Sequence, residues 1–312
     1  MGRKLAVILI AVAGCAATPK PAPEPKPEAA PNPLEYALFD GKTGKPIDLA
    51  ALVARADGCD FFAFGELHGH PAGSLVQKEV LGAMLEQERP VALAMEFFER
   101  DTQGVVDRYL TWDIEEGDFK KWARQGKAYA TSHRALIELC KENESAVIAA
   151  NAPRRLAKEF RKSGLDYAEF LEAVTEAERS YLPRAWSDLS EAESEPFFAA
   201  MGGLKPGQND TFGIAMALWD DAMAEACADA REQDPQLRVI LMVGAFHAKG
   251  GAHTVRKYRE RRSEDRILTL IMRIGELAYS AKDEGLGDFV MKVHAPPRPK
   301  RRAPAAAPAK HP

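Results

Sequence analysis

Apolar residues follow two rhythms along this chain, and the two alternate. Short, nearly unbroken runs occupy Asp60–Phe64, Val91–Glu96, Ala146–Ala150, Val239–Val243 and Ile267–Met272. Runs of that length, closed by turn residues, predict strands covered on both faces. Between them the spacing changes to three and four. Ala72, Val76, Val80 and Met84, joined by Leu75, Leu81 and Leu85, make one helical stripe. Phe212, Ala215, Met216, Trp219, Ala222, Met223 and Cys227 make another. Asn151-Ala152-Pro153 reads as a helix start with Pro in the first turn. Strand and helix in alternation predict an α/β fold, a mostly parallel sheet flanked by helices. Asp288–Val293 is read as a last edge strand.

Two longer stretches, 101–145 and 160–210, interrupt this rhythm with mixed helical patterns and many aromatics. Tyr109, Trp112, Phe119, Trp122 and Tyr129 belong to the first, and Phe170, Tyr181, Trp186, Phe197 and Phe198 to the second. They are expected to form a helical cap, built from insertions, that closes the crevice at one end of the sheet.

The ends of the chain differ in composition from its body. Arg3 and Lys4 precede an apolar segment, Leu5–Val12, too short to span a bilayer as a mature helix. It runs into Val12-Ala13-Gly14-Cys15, which resembles the lipobox of bacterial lipoproteins. The expectation is a signal peptide over 1–14 and lipidation at Cys15. A Pro/Ala-rich tether over 15–33 cannot bury a core and serves as a spacer. Ala16, standing where an Asp would suggest inner-membrane retention, points by the same resemblance to the outer membrane. Residues 295–312 carry Arg298, Lys300, Arg301, Arg302 and Lys310 with no acid and read as a disordered basic tail. The body, 34–294, is therefore more acidic than the overall net charge of −4. An acidic body argues against nucleic acid as a partner. Beyond Cys15, the odd remainder of Cys59, Cys140 and Cys227 does not suggest a disulfide framework.

The candidate chemistry lies where the strands end. Two apolar runs share a plan: Phe61-Phe62-Ala63-Phe64-Gly65-Glu66-Leu67-His68 and Ile240-Leu241-Met242-Val243-Gly244-Ala245-Phe246-His247. Each His follows the carboxyl end of a strand, where open α/β sheets bind ligands. The second run ends in Glu96, and the third is followed by Asn151, Arg154 and Arg155. His70 and His253 lie in Gly-rich turns nearby. Two imidazoles and two carboxylates around one crevice suit a divalent metal, acid–base chemistry or haem iron. Simpler roles compete: turn capping by His68 and His247, helix capping by Glu66, and pairing of Glu96 with Arg100. Arg154 and Arg155, at a helix start where positive charge opposes the dipole, hint at an anionic partner.

These pieces resemble a known family, the ChaN-like haem-binding uptake lipoproteins of bacteria, within the Tiki superfamily. The matching segments are Gly65-Glu66-Leu67-His68-Gly69-His70-Pro71 with Gln77, and Ala94-Met95-Glu96-Phe97-Phe98-Glu99-Arg100 with Gln103. Ala150-Asn151-Ala152-Pro153-Arg154 and Val243-Gly244-Ala245-Phe246-His247 complete them. The resemblance implies haem as cofactor, bound by His68, His247, His70 and Arg154, and a role in iron acquisition. A phenolate from Tyr109, Tyr129 or Tyr181 is the other iron ligand considered. Superfamily relatives include metal-dependent proteases and esterase-like enzymes with paired GxxH motifs. On that alternative, His68, His247, Glu66 and Glu96 would hold an ion such as zinc or manganese. Glu66, Glu96 and Arg154 would then carry catalysis. The expected partners are haem, a membrane reached through the lipid anchor, and a second copy of the chain as a homodimer.

Overall fold

The five apolar runs become the centre of one eight-stranded sheet in a computed structural model, which describes residues 32–126, 128–194 and 210–295. The expected signal peptide, Cys15, nearly all of the tether and the basic tail lie outside the described residues, as do Phe197 and Phe198. The strands are β1 (Tyr36–Asp40), β2 (Pro46–Ile47), β3 (Phe61–Glu66), β4 (Val91–Glu99), β5 (Ala146–Asn151), β6 (Arg238–Gly244), β7 (Ile267–Ile274) and β8 (Phe289–Val293). Their order is β2-β1-β8-β7-β3-β6-β4-β5. From β8 to β5 every neighbouring pair is parallel, and β1 and β2 add an antiparallel edge. Those two edge strands have no counterpart in the sequence reading. β1 is short and half-buried, with only Leu38 and Phe39 fully covered, so it lacks the continuous run of a central strand.

The continuous runs exist because both faces of the sheet are covered. Phe62 and Phe64 of β3, with Ile240 and Met242 of β6, face α1 (Leu49–Ala56) and α2 (Pro71–Leu85) in one cluster. The first insertion packs into that same cluster through α3 (Gln103–Leu110), α4 (Glu116–Trp122) and α5 (Arg134–Glu142). Tyr109 and Phe119 stack there, with ring centroids 4.2 Å apart. Phe61, Ala63, Leu241 and Val243 point the other way, against Met223 and Cys227 of a long helix and Val255 and Tyr258 of another. The second insertion packs on the first of those helices and on α6 (Arg154–Ser163) through α7 (Tyr167–Ala173), Leu182 and Trp186. The long helix is α8 (Asp210–Gln233), and the other is α9 (His253–Arg261). Pro153 sits at the N-cap of α6 rather than in its first turn, and Gly164 ends that helix at φ 71°.

This alternation of faces creates the crevice. The chain leaves β3 into α2 on one face and leaves β6 toward α9 on the other, while β3 and β6 lie side by side. Adjacent strands whose following helices diverge leave a gap at their carboxyl ends, the usual ligand position in such sheets. Cys59, Cys140 and Cys227 are free and buried. Among the described residues, no helix is long and apolar enough to cross a membrane.

Candidate functional site

The two GxxH motifs meet because β3 and β6 are hydrogen-bonded neighbours in parallel register. Gly65 lies opposite Val243 and Glu66 opposite Gly244. β4 flanks β6 on its other side and brings Glu96 to the same rim. Pairing of β4 with β5 slips between Met95 and Glu99, an irregularity of the kind that re-aims a side chain beside a site. Glu96 Oε2 then accepts the Gly244 amide at 2.7 Å. Glycine at 244 leaves room for this approach: a Cβ there would stand 3.0 Å from His68 Cε1 and 3.5 Å from Glu96 Oε2, and the imidazole would have to give way.

Each imidazole is wired to a carboxylate through Nδ1. His68 Nδ1 lies 2.9 Å from Glu66 Oε1, and His247 Nδ1 lies 2.6 Å from Asp220 Oδ1. Burial raises the cost of an ionised Glu66, but the nearby His133 imidazole and hydrogen bonds from His68 and Gln77 outweigh it and hold the carboxyl at about 2. An ionised carboxylate only accepts, so Nδ1 of His68 carries the proton there and Nε2 is directed elsewhere. Asp220 is likewise held far below the usual carboxylate range. Burial opposes this, and the charge and hydrogen bond of His247, with the His253 imidazole 3.6 Å away, overcome it. Its Oδ1 also accepts the Thr254 hydroxyl at 2.6 Å. For His247, burial disfavours the charged ring, yet the Asp220 and Glu96 carboxylates raise it to about 9. His68 is raised as well, chiefly by its bond to Glu66 and against partial burial.

Above these groups opens a cleft of about 460 Å3 whose walls include Leu67, Phe212, Met216, Trp219 and Phe246 beside Glu66, His68, Glu96 and His247. All four ionisable rim residues named from the sequence thus share one cavity. Among the described residues, no group of three or more His, Cys, Asp or Glu side chains is arranged to hold a metal ion.

Two expected members are placed elsewhere. His70 is buried at the N-cap of α2, and its Nε2 lies 2.9 Å from the His294 carbonyl, away from the cleft lining. Arg154 is 62% exposed at its side chain and 3.6 Å from Glu99 Oε1. The first turn of α6 sends it toward the end of β4 and solvent, outside the cleft lining, and Arg155 pairs with Glu178 at 2.5 Å. Arg100 engages Glu225 at 3.2 Å and the Ala222 carbonyl, so it does not neutralise Glu96. None of the three tyrosines considered as iron ligands lines the cleft. Tyr109 is occupied by Glu138 at 2.5 Å, and burial pushes its hydroxyl and that of Tyr129 well above the usual phenol range.

Asp220 and His133 escaped the sequence, and His253 was named there only as a turn residue. Asp220 falls at i+4 from Met216 and i−3 from Met223, on the apolar stripe of α8. A carboxylate on a buried stripe is the signal that could have found it. His253 is buried: its Nδ1 lies 3.6 Å from Asp220 Oδ2 and its ring is 4.2 Å from Phe246. His133 ends a π-helical turn, Tyr129–His133, with its ring centroid 3.8 Å from that of Phe97 and Nε2 3.6 Å from Glu66 Oε1. Nothing in its local sequence distinguishes it.

Comparisons with known proteins agree with this architecture. The family model described as haem-binding uptake, Tiki superfamily, ChaN matches residues 52–256. The solved structure of cofacial haem binding to ChaN of Campylobacter jejuni aligns with a TM-score of 0.61 at 15% identity, covering 83% of this chain and 97% of that one. The type III effector HopBA1 aligns at 0.47 and 12% identity, over 84% of this chain and 98% of that one. An erythromycin esterase, EreC in its open conformation, aligns at 0.45 and 11%, over 76% and 77%. Among curated proteins no relative matches.

Proposed function

This chain belongs to the haem-binding uptake family ChaN of the Tiki superfamily, and from that premise we propose that it binds haem in the cleft between His68 and the apolar wall of α8. The carrying observation is the pairing of a half-exposed imidazole with an aromatic-lined cavity. His68 is 54% exposed at its side chain, its Nδ1 is committed to Glu66, and its ring lines the cleft with Phe212, Met216, Trp219 and Phe246. A porphyrin needs apolar walls and an axial donor, and those residues supply both. The Glu66 partner fixes the ring and raises its basicity, as outer-shell carboxylates do for ligating histidines. His247 is nearly enclosed and faces Glu96, so we assign it to shaping and charging the cleft floor. When bound, the haem would supply the iron that the uptake role concerns.

The lipobox-like Val12-Ala13-Gly14-Cys15 supports the rest of the reading: a lipoprotein tethered to the bacterial outer membrane that handles haem for iron uptake. Cofacial haem in the Campylobacter jejuni protein supports stacked haems here, and we propose a homodimer as the assembly that would hold them. Titration of the purified protein with hemin tests the central claim. A saturable Soret shift that weakens in His68→Ala is the expected result, and no saturable shift would end it. Sedimentation with and without hemin tests the dimer, and labelling with a palmitate analogue, lost in Cys15→Ala, tests the anchor.

A second reading has one observation in its favour. The Asp220–His247 pair facing Glu96, with Nε2 to Oε1 at 3.8 Å, resembles the orienting acid and imidazole of acid–base hydrolases. Turnover of a simple ester by the apoprotein, with and without zinc or manganese and abolished in His247→Ala, would favour it.

A further inference from the structure

Haem carries two carboxylates, and among the described residues no Lys or Arg lines the cleft over His68 to meet them. Arg154, the expected contact, points away. Immediately beside that cleft, across Leu67, Ala245 and Phe246, which line both, lies a second depression of about 390 Å3. Its apolar surface comes from Leu67, Phe246, Met272 and Ile274, the last 47% exposed. Its charged lining consists of Lys249, Arg273 and Lys282, with no acidic side chain among the described residues. On a chain whose net charge is −4, three cations over an apolar floor, only Arg273 of them paired with an acid, form a local inversion of sign.

The three cations are held differently. Arg273 is anchored, bonded to Asp283 Oδ1 at 3.0 Å and to the Lys282 carbonyl. Lys249 and Lys282 are exposed and form no ion pair among the described residues. They come from separate elements: Lys249 follows the helical turn Ala245–Ala248 that carries His247, and Lys282 lies in the turn between β7 and β8. The fold thus brings two uncommitted ammonium groups and one fixed guanidinium to the rim of an apolar floor continuous with the histidine cleft. Such an arrangement complements an amphipathic anion whose apolar body extends into that cleft.

We propose that this depression is the carboxylate subsite of the haem site, with Lys249 and Lys282 meeting the propionates of the porphyrin and Arg273 steadying the rim. The proposal rests on the haem reading and deepens it.

Metal-free protoporphyrin IX and its dimethyl ester separate carboxylate recognition from iron ligation. Both are titrated into the purified protein by tryptophan fluorescence quenching, with hemin followed in parallel by its Soret band. The free diacid is expected to bind about ten-fold tighter than the diester, a contrast that shrinks as salt screens the exposed pairs. In the doubly substituted Lys249→Ala, Lys282→Ala protein the diacid should weaken about ten-fold while the diester is unchanged, the size expected for two exposed charge pairs. Both lysines are exposed, so the fold is retained, which circular dichroism checks. In His68→Ala the hemin spectrum should change while the diacid–diester contrast persists. Equal binding of diacid and diester, or equal losses for both in the lysine variant, would overturn the subsite and leave haem binding standing. Failure of hemin and both porphyrins to bind would overturn the haem reading, and the subsite with it.

Discussion

His68 and His247 follow the same sequence plan and carry the same wiring, but they meet different solvents. Each lies three residues after a glycine at a strand end, and each presents Nδ1 to a carboxylate. The His68 side chain is 54% exposed and that of His247 is 6% exposed. The difference traces to the acid that each one finds. Glu66 lies two residues before His68 on the same strand end, so that pair is local and stays at the rim. Asp220 comes from the interior of α8, so binding it draws His247 under the helix. One motif, repeated, gives an accessible donor in one place and a buried charge pair in the other. Binding should therefore depend mainly on position 68, and stability mainly on the partners of position 247.

The largest effect expected is on folding. Asp220→Ala removes the acceptor for His247 and Thr254 inside the protein, and stripping one partner from a buried pair typically costs about 3–5 kcal/mol. Urea unfolding measures it, and a loss below about 1 kcal/mol would show that the pair is not a structural anchor. His68→Ala should do the reverse. Its stability should shift little, while hemin affinity falls on the order of 100-fold, at least the loss seen when only an outer-shell partner is removed. A greater affinity loss in His247→Ala than in His68→Ala would exchange the two roles.

Next comes pH. The His247 imidazole titrates near 9 in the folded chain and near 6.5 when free. Folding favours its charged form, so its contribution is complete below about pH 6.5 and fades as pH rises through 9. A gap of that size corresponds to at most about 3 kcal/mol. The depressed Asp220 carboxyl is the same interaction seen from its partner and is not counted again. The urea midpoint should fall between pH 6 and pH 9.5, and fall less in Asp220→Asn; parallel curves for the two proteins would remove the assignment.

Gly244→Ala sharpens the comparison at the seam between the two pairs. The added methyl presses on His68 at 3.0 Å, and overpacking of this kind costs about 1–3 kcal/mol. It should shift the Soret maximum of bound hemin more than it lowers stability, and an unchanged spectrum would mean His68 is not held against Gly244. The smallest effect belongs to Arg154→Ala, an exposed partner of Glu99 expected to change stability by about 0.5 kcal/mol or less and hemin affinity not at all. A marked loss of affinity would return Arg154 to the site.

Much of the centre was legible. The five apolar runs mark β3 to β7 to within a few residues, because strands covered on both faces cannot tolerate polar interruptions. Glu66, His68, Glu96 and His247 were readable as rim residues because each follows such a run closely. Local pattern carried less elsewhere. β1 shows only Leu38 and Phe39 as fully buried residues, and His133 acts from a π-helical turn inside an insertion.

By itself the sequence determined which segments are strands, which face of each helix is apolar, and that a glycine and a histidine stand at two strand ends, with an acid between them at one. Those are properties of neighbouring residues, set by backbone sterics and by the period of burial. Only the tertiary structure decided that β3 lies beside β6, that Asp220 claims His247, that Arg154 faces solvent, and that Lys249 and Lys282 line one depression beside the cleft. Each of these joins residues distant in the chain, and strand order, which no local periodicity encodes, selects the partners.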